Sequence, residues 1–152
     1  MSFQFRYQRV LDVRELEEDQ KRVEFAEVQK ELRRRENELE ELKDKLDNHY
    51  EKARRIRKQT RNPQQLEQVT QHTQYLLGEI QEKQKEIEQW KEKLEEEREE
   101  LVEASQKKQV METLKQRDFE EFREEVLEEE RRENNEMAIR MYQRQQEEDE
   151  ES

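Results

Sequence analysis

The sequence predicts an all-α protein in which two long helices fold back on each other as an antiparallel coiled-coil hairpin, the second helix longer and overhanging at its C-terminus. Three observations carry this. Of 152 residues one is Gly and one is Pro, and 49% are charged against 28% hydrophobic, so the apolar side chains suffice for a thin seam but not for an enclosed core. Apolar residues recur at alternating spacings of three and four along two long stretches, which separates a coiled coil from a disordered chain of the same composition. The strongest punctuation, Thr60-Arg61-Asn62-Pro63, lies between those stretches. The whole chain, 1–152, reads as one coiled-coil domain.

The first helix is expected from about residue 3 to 60. Its seam is Phe25, Val28, Leu32, Leu39, Leu42, Leu46, Ala53 and Ile56, with Arg35 and His49 in the two remaining core slots. The turn falls at 61–62, because proline removes a backbone donor and biases the residue before it away from helical angles. Asn62 then caps the second helix and Pro63 takes its first position. That helix is expected over 63–146, with a seam of Leu66, Val69, Thr73, Leu76, Ile80, Ile87, Trp90, Leu94, Leu101 and Ala104, interrupted by Lys83 and Glu97.

A short connection makes the two seams antiparallel. The best register pairs Ile56 with Leu66, then His49 with Thr73, Leu46 with Leu76, Leu42 with Ile80 and Leu32 with Trp90. Arg35 falls opposite Ile87 and Lys83 opposite Leu39, where their methylenes can cover the seam while the charges reach water. Toward the termini the heptad slips at Val10, Val13, Leu16 and Val23, and again at Val110, Met111 and Leu114. The same register brings Phe3 opposite Phe119, which leaves a single-helix overhang carrying Phe122, Val126, Leu127, Met137, Ile139, Met141 and Tyr142. Exposed apolar residues of that kind call for a partner. The acidic tail 147–152 is expected to fray.

Little in the sequence suggests chemistry. There is no Cys, hence no disulfide or thiolate site, and the phosphate-binding loop, nucleophile elbow and zinc-protease motifs are absent. His49 and His72, the two imidazoles, read as a seam residue and its neighbour rather than metal ligands, and the carboxylate runs read as solvated faces. No catalytic residue, cofactor or metal is expected. The net charge of -12 disfavours nucleic acid and anionic membrane as general partners. No stretch reaches the roughly 20 apolar residues of a membrane span, and Met1 to Val10 lacks a secretory apolar run, so a soluble chain with no direct membrane span is expected.

Two local features stand out. Arg54, Arg55, Arg57, Lys58 and Arg61 form a basic tip, which complements the helix C-terminal dipole and can also meet an acidic surface or an RNA backbone. Tyr75, Leu77 and Gly78 lie beside the seam near that tip and form a candidate docking spot.

The opening Phe3-Gln4-Phe5-Arg6-Tyr7-Gln8-Arg9-Val10-Leu11-Asp12-Val13-Arg14-Glu15 resembles the start of the FliJ family of flagellar export proteins. Leu114-Lys115-Gln116-Arg117, Glu120-Glu121-Phe122 and Glu136-Met137-Ala138 to Arg140-Met141-Tyr142 are similar to its closing pattern, with Met141 interrupting the usual Arg-Tyr pair. The resemblance implies a cytoplasmic component of type III export, peripheral at the inner face of the cell membrane, that serves flagellum biogenesis and motility. It implies a stalk like the γ-subunit coil of ATP synthase, which enters and promotes the hexameric export ATPase, contacts the membrane export gate protein and escorts export chaperones. By motif position, Phe3, Phe5, Arg6, Arg9, Arg14, Phe122, Arg140 and Tyr142 are expected to face the ATPase. Val69, His72, Thr73 and Leu76 are expected to face the gate, with the basic tip steering. Competing readings are the stalk of a virulence-type secretion system, a spacer coiled coil, and an RNA-contacting hairpin arm.

Overall fold

The computed structural model describes residues 2–151. Two helices, α1 (Gln8–Gln59) and α2 (Pro63–Glu151), are joined by Thr60, Arg61 and Asn62 and pack against each other as an antiparallel pair. The turn is built as the sequence indicates. Thr60 still donates its amide to Ile56 O at 2.9 Å, and the Thr60 hydroxyl then accepts from Asn62 N at 3.2 Å. The Asn62 carboxamide oxygen accepts from Gln64 N at 3.1 Å, satisfying one of the amides that a helix start leaves without a partner.

Contacts group the chain into two units, residues 17–104 and residues 1–16 with 105–152. In the first, Val28, Leu32 and Ala53 from α1 and Val69, Leu76, Ile80, Ile87 and Ala104 from α2 are buried along the seam. The register is the expected one: His49 Nε2 lies 2.8 Å from Thr73 Oγ1. The polar slots differ from expectation, because their charges go to carboxylates instead of water. Arg35 donates from Nη1 to Glu31 and from Nε to Glu86, both at 2.6 Å, with its guanidinium 4.2 Å from the Trp90 ring centroid. Lys83 donates to Glu38 at 2.6 Å and Glu86 at 3.1 Å. Glu86 thus joins both cations, and its carboxyl is held below the ordinary range by hydrogen bonds from Arg35 first and Lys83 second.

In the other unit the first helix starts at Gln8 instead of near residue 3. Residues 3–5 are irregular, and Gln8 N bonds Phe5 O at 3.2 Å to close a turn over Arg6 and Tyr7. On a helix, side chains two residues apart point to nearly opposite faces; with this irregular start Phe5 is buried and Phe3 half-buried. Leu11 is buried as well, and Lys115 Nζ donates to Gln8 Oε1 at 2.9 Å. Beyond Val126 every described residue of α2 is exposed. The helix nonetheless persists to Glu151, past the point where fraying is expected, because Gln and Glu favour helix and Gln146 braces Tyr142 one turn back.

Candidate interaction sites

The terminal residues fall into a fastened group and a bare group. Phe3 is held edge-on by Phe119, with ring centroids 5.4 Å apart, and contacts Phe122 at 5.6 Å. Phe5 meets Tyr7 edge-on at 6.0 Å, and the Arg6 guanidinium lies 5.4 Å from the Tyr7 centroid. Of the expected ATPase-facing set, Phe3, Phe5 and Phe122 are therefore committed to internal packing, with Phe5 only 8% exposed. Arg6 and Arg9 are exposed and Arg14 is half-buried. Arg140 and Tyr142 sit on the unaccompanied stretch of α2, where Met137, Ile139, Met141 and Tyr142 are each more than half exposed. Phe119 and Tyr7 complete the fastening. The first was legible from the register, the second only as one more aromatic in an aromatic-rich start.

The tip gives a different result. Val69 and Leu76, expected to face the gate, are buried in the seam. Thr73 donates to Val69 O at 2.9 Å and shares its hydroxyl with His49. His72 is the exposed member of the four. Its ring meets His49 edge-on at 4.6 Å and stacks on Tyr75 at 6.2 Å, so His49, His72 and Tyr75 form a continuous aromatic wall. Lys45, Asn48 and Lys52 line the groove beside it. Gly78 adds open space, since a Cβ there would meet nothing within 4 Å. The basic tip residues Arg54, Arg55, Arg57, Lys58 and Arg61 are all exposed.

Among the described residues one carboxylate cluster has metal-like spacing, Glu24, Glu97 and Glu100, whose oxygens lie within 4.8 Å of one another. Lys21 already supplies a cation there, bonding Glu100 at 2.8 Å and Glu24 at 3.1 Å. The hydrogen bond to Glu100 is the largest cause raising the lysine above its ordinary value. The cluster reads as an interhelical ion pair.

No helix among the described residues is long and apolar enough to cross a membrane. A paired seam and a bare, apolar-spotted helix define the class: a two-helix hairpin with its second helix the longer. The sequence profile described as Flagellar FliJ protein matches residues 3–147. The chain belongs to the FliJ family and is a structural component of flagellar export, outside the known enzyme families. No curated protein and no solved structure matches it.

Proposed function

We infer that this chain is the stalk-like adaptor of the flagellar export ATPase. It inserts the C-terminal part of α2 into the ATPase hexamer and promotes its activity. It also links the hexamer to the membrane export gate and escorts export chaperones, working in the cytoplasm at the inner face of the cell membrane. The observation that carries the reading is the stretch 127–151, helical yet wholly exposed, with Met137, Ile139, Met141 and Tyr142 bare to solvent. An apolar-spotted helix of residues 127–151, spanning roughly 37 Å at about 1.5 Å per residue, is suited to a socket in another protein. Arg140 and Tyr142 are the direct contacts, and Phe3, Phe5 and Phe122 fasten the start of α1 at the base of that stretch. Arg6, Arg9 and Arg14 add charge around the fastening.

The gate contact is assigned to the aromatic wall at the tip. His72 and Tyr75 present its surface, Val69, Thr73 and Leu76 support it from the seam, and the tip cations steer the approach.

Pull-down of the export ATPase with purified full-length chain tests the reading at two salt concentrations. Wild type is expected to retain and stimulate the ATPase, and R140A/Y142A to lose both while keeping its helical circular dichroism. Undiminished binding by that variant overturns the insertion, and recovery of RNA in place of the ATPase overturns the adaptor reading altogether.

A further inference from the structure

Charge is distributed unevenly along the sequence. Between Glu51 and Glu67 the chain holds Lys52, Arg54, Arg55, Arg57, Lys58 and Arg61 without a carboxylate, and no other carboxylate-free stretch carries more than three cations. The start of α2 adds little of the opposite sign, since its one acid up to Gly78 is Glu67. Residues 52–78 therefore hold six cations against one carboxylate, a local +5 within a chain of -12. All six cations are exposed.

The depth and direction of these side chains narrow the partner. Lys52 to Gln59 rise about 12 Å at about 1.5 Å per residue, so a surface touching the turn meets the six cations within roughly one screening length, about 10 Å near 0.1 M salt. Glu67 shares that depth, whereas the carboxylates from Glu51 backward and from Glu79 onward stand farther off. At about 100° per residue, Lys52, Arg54, Arg55, Arg57 and Lys58 fan over more than half the circumference of α1, a wider arc than one docked helix or strand covers. The two grooves that meet at His49 and His72 are lined by none of Arg54, Arg55, Arg57, Lys58 and Arg61. Cations that stand outside grooves and fan around a helix end suit a surface whose own charges move to meet them.

We propose that the tip binds the anionic headgroups of a phospholipid surface directly. Each Lys or Arg near such a surface strengthens binding about fivefold, and the attraction fades within a screening length. The whole-chain charge of -12 does not forbid the contact, because most of the acidic remainder lies beyond that length. Apolar insertion plays no part: Ala53 is buried, and Ile56 and Leu66 are half-buried. The contact needs no protein partner and stands independently of the gate and ATPase contacts, so protein-free vesicles test it apart from them.

The test is co-sedimentation of the full chain with vesicles of phosphatidylcholine alone or with about one third phosphatidylglycerol, at about 0.1 M and about 0.5 M NaCl. Binding is expected to the anionic vesicles only, and it should fall roughly tenfold or more at the higher salt. R54Q/R55Q/R57Q should lower the partition coefficient roughly a hundredfold, whereas R54K/R55K/R57K should keep it within about threefold, since headgroups answer to charge more than to side-chain shape. All three positions are exposed, and unchanged circular dichroism confirms that the helices remain. Equal binding to neutral vesicles overturns the proposal, as does binding indifferent to R54Q/R55Q/R57Q or an equal loss in the lysine variant. A wild type that leaves anionic vesicles unbound at the lower salt overturns it too, and retention of RNA or of an acidic protein by that same chain assigns the tip to another polyanion.

Discussion

Replacing Phe3 by Ala should unfasten the start of the chain without unfolding the hairpin. The Phe3 ring makes two aromatic contacts, at 5.4 Å with Phe119 and 5.6 Å with Phe122. Such pairs contribute about 0.5–1.5 kcal/mol each beyond burial. Phe119 is 42% exposed, which places its contact in the lower half of that range, so the two together are worth about 1–2 kcal/mol. That loss raises the undocked fraction of the segment roughly 5–30-fold. It should appear as a matching loss of exchange protection at the Gln8 amide, which bonds Phe5 O, while amides around Leu76 keep theirs.

A double-mutant cycle isolates the pair. F3A, F119A and F3A/F119A should show a coupling of about 0.5–1 kcal/mol. A coupling inside the additivity error of about 0.3 kcal/mol would refute the packing argument. The functional consequence separates fastening from direct contact. If Phe3 acts through docking, F119A should weaken ATPase binding as F3A does, although Phe119 lies outside the terminal motif set. Loss in F3A alone would mean that Phe3 itself touches the ATPase.

Other expectations concern the seam. Leu76, 4% exposed, should cost about 2–4 kcal/mol when cut to Ala, lowering the melting temperature by roughly 5–15 °C in circular dichroism; a shift of a degree or less would contradict its burial. Cysteines replacing Leu42 and Ile80 should oxidise to a cross-link readily, and preferential linkage of pairs shifted by a turn would contradict the register. Acid should weaken the hairpin through the mid-seam carboxylates. Glu38 is held below the ordinary value of 4.5 by its hydrogen bond from Lys83, and Glu86 by those from Arg35 and Lys83. Their stabilisation is therefore full above pH 4.5 and lost as pH falls through the lower folded-state values. E38Q/E86Q should flatten the acid limb of a melting-temperature profile, and an unchanged limb would assign acid sensitivity elsewhere.

What was legible in the sequence is what the heptad tests. Spacing placed Ile80, Ile87 and Leu32 in the seam, and proline with the asparagine before it placed the turn. One register then fixed His49 on Thr73 and, in the terminal unit, Phe3 against Phe119. The partners of charged seam residues were not legible in this way. Arg35 has carboxylates available on several turns of both helices, and the choice of Glu31 and Glu86 over water depends on side-chain reach that residue spacing does not encode. The start of α1 is not legible for a related reason. Helix-favouring composition runs back to about residue 3, whereas the turn closed by Gln8 N on Phe5 O depends on packing that residue spacing does not encode.

The same reasoning bears on why the end of α2 stays helical while bare. A frayed tail would follow if packing alone held helices together, since residues 127–151 are all exposed. Yet the stretch is rich in Glu, Gln, Arg and Met, all favourable formers, and it continues a helix already nucleated upstream, so each added residue meets only the small cost of propagation. Its apolar residues are then presented on a rod that is already ordered, and a socket that takes it loses less of the ordering entropy that a disordered segment demands. Glycine at both Arg140 and Gln143 is the corresponding perturbation. It leaves the Met137, Met141 and Tyr142 side chains in place but costs about 1 kcal/mol of helix stability per site. ATPase binding should weaken by roughly an order of magnitude or more beyond the effect of R140A/Q143A. Equal binding by the glycine and alanine variants would show that recognition does not require this stretch to be helical.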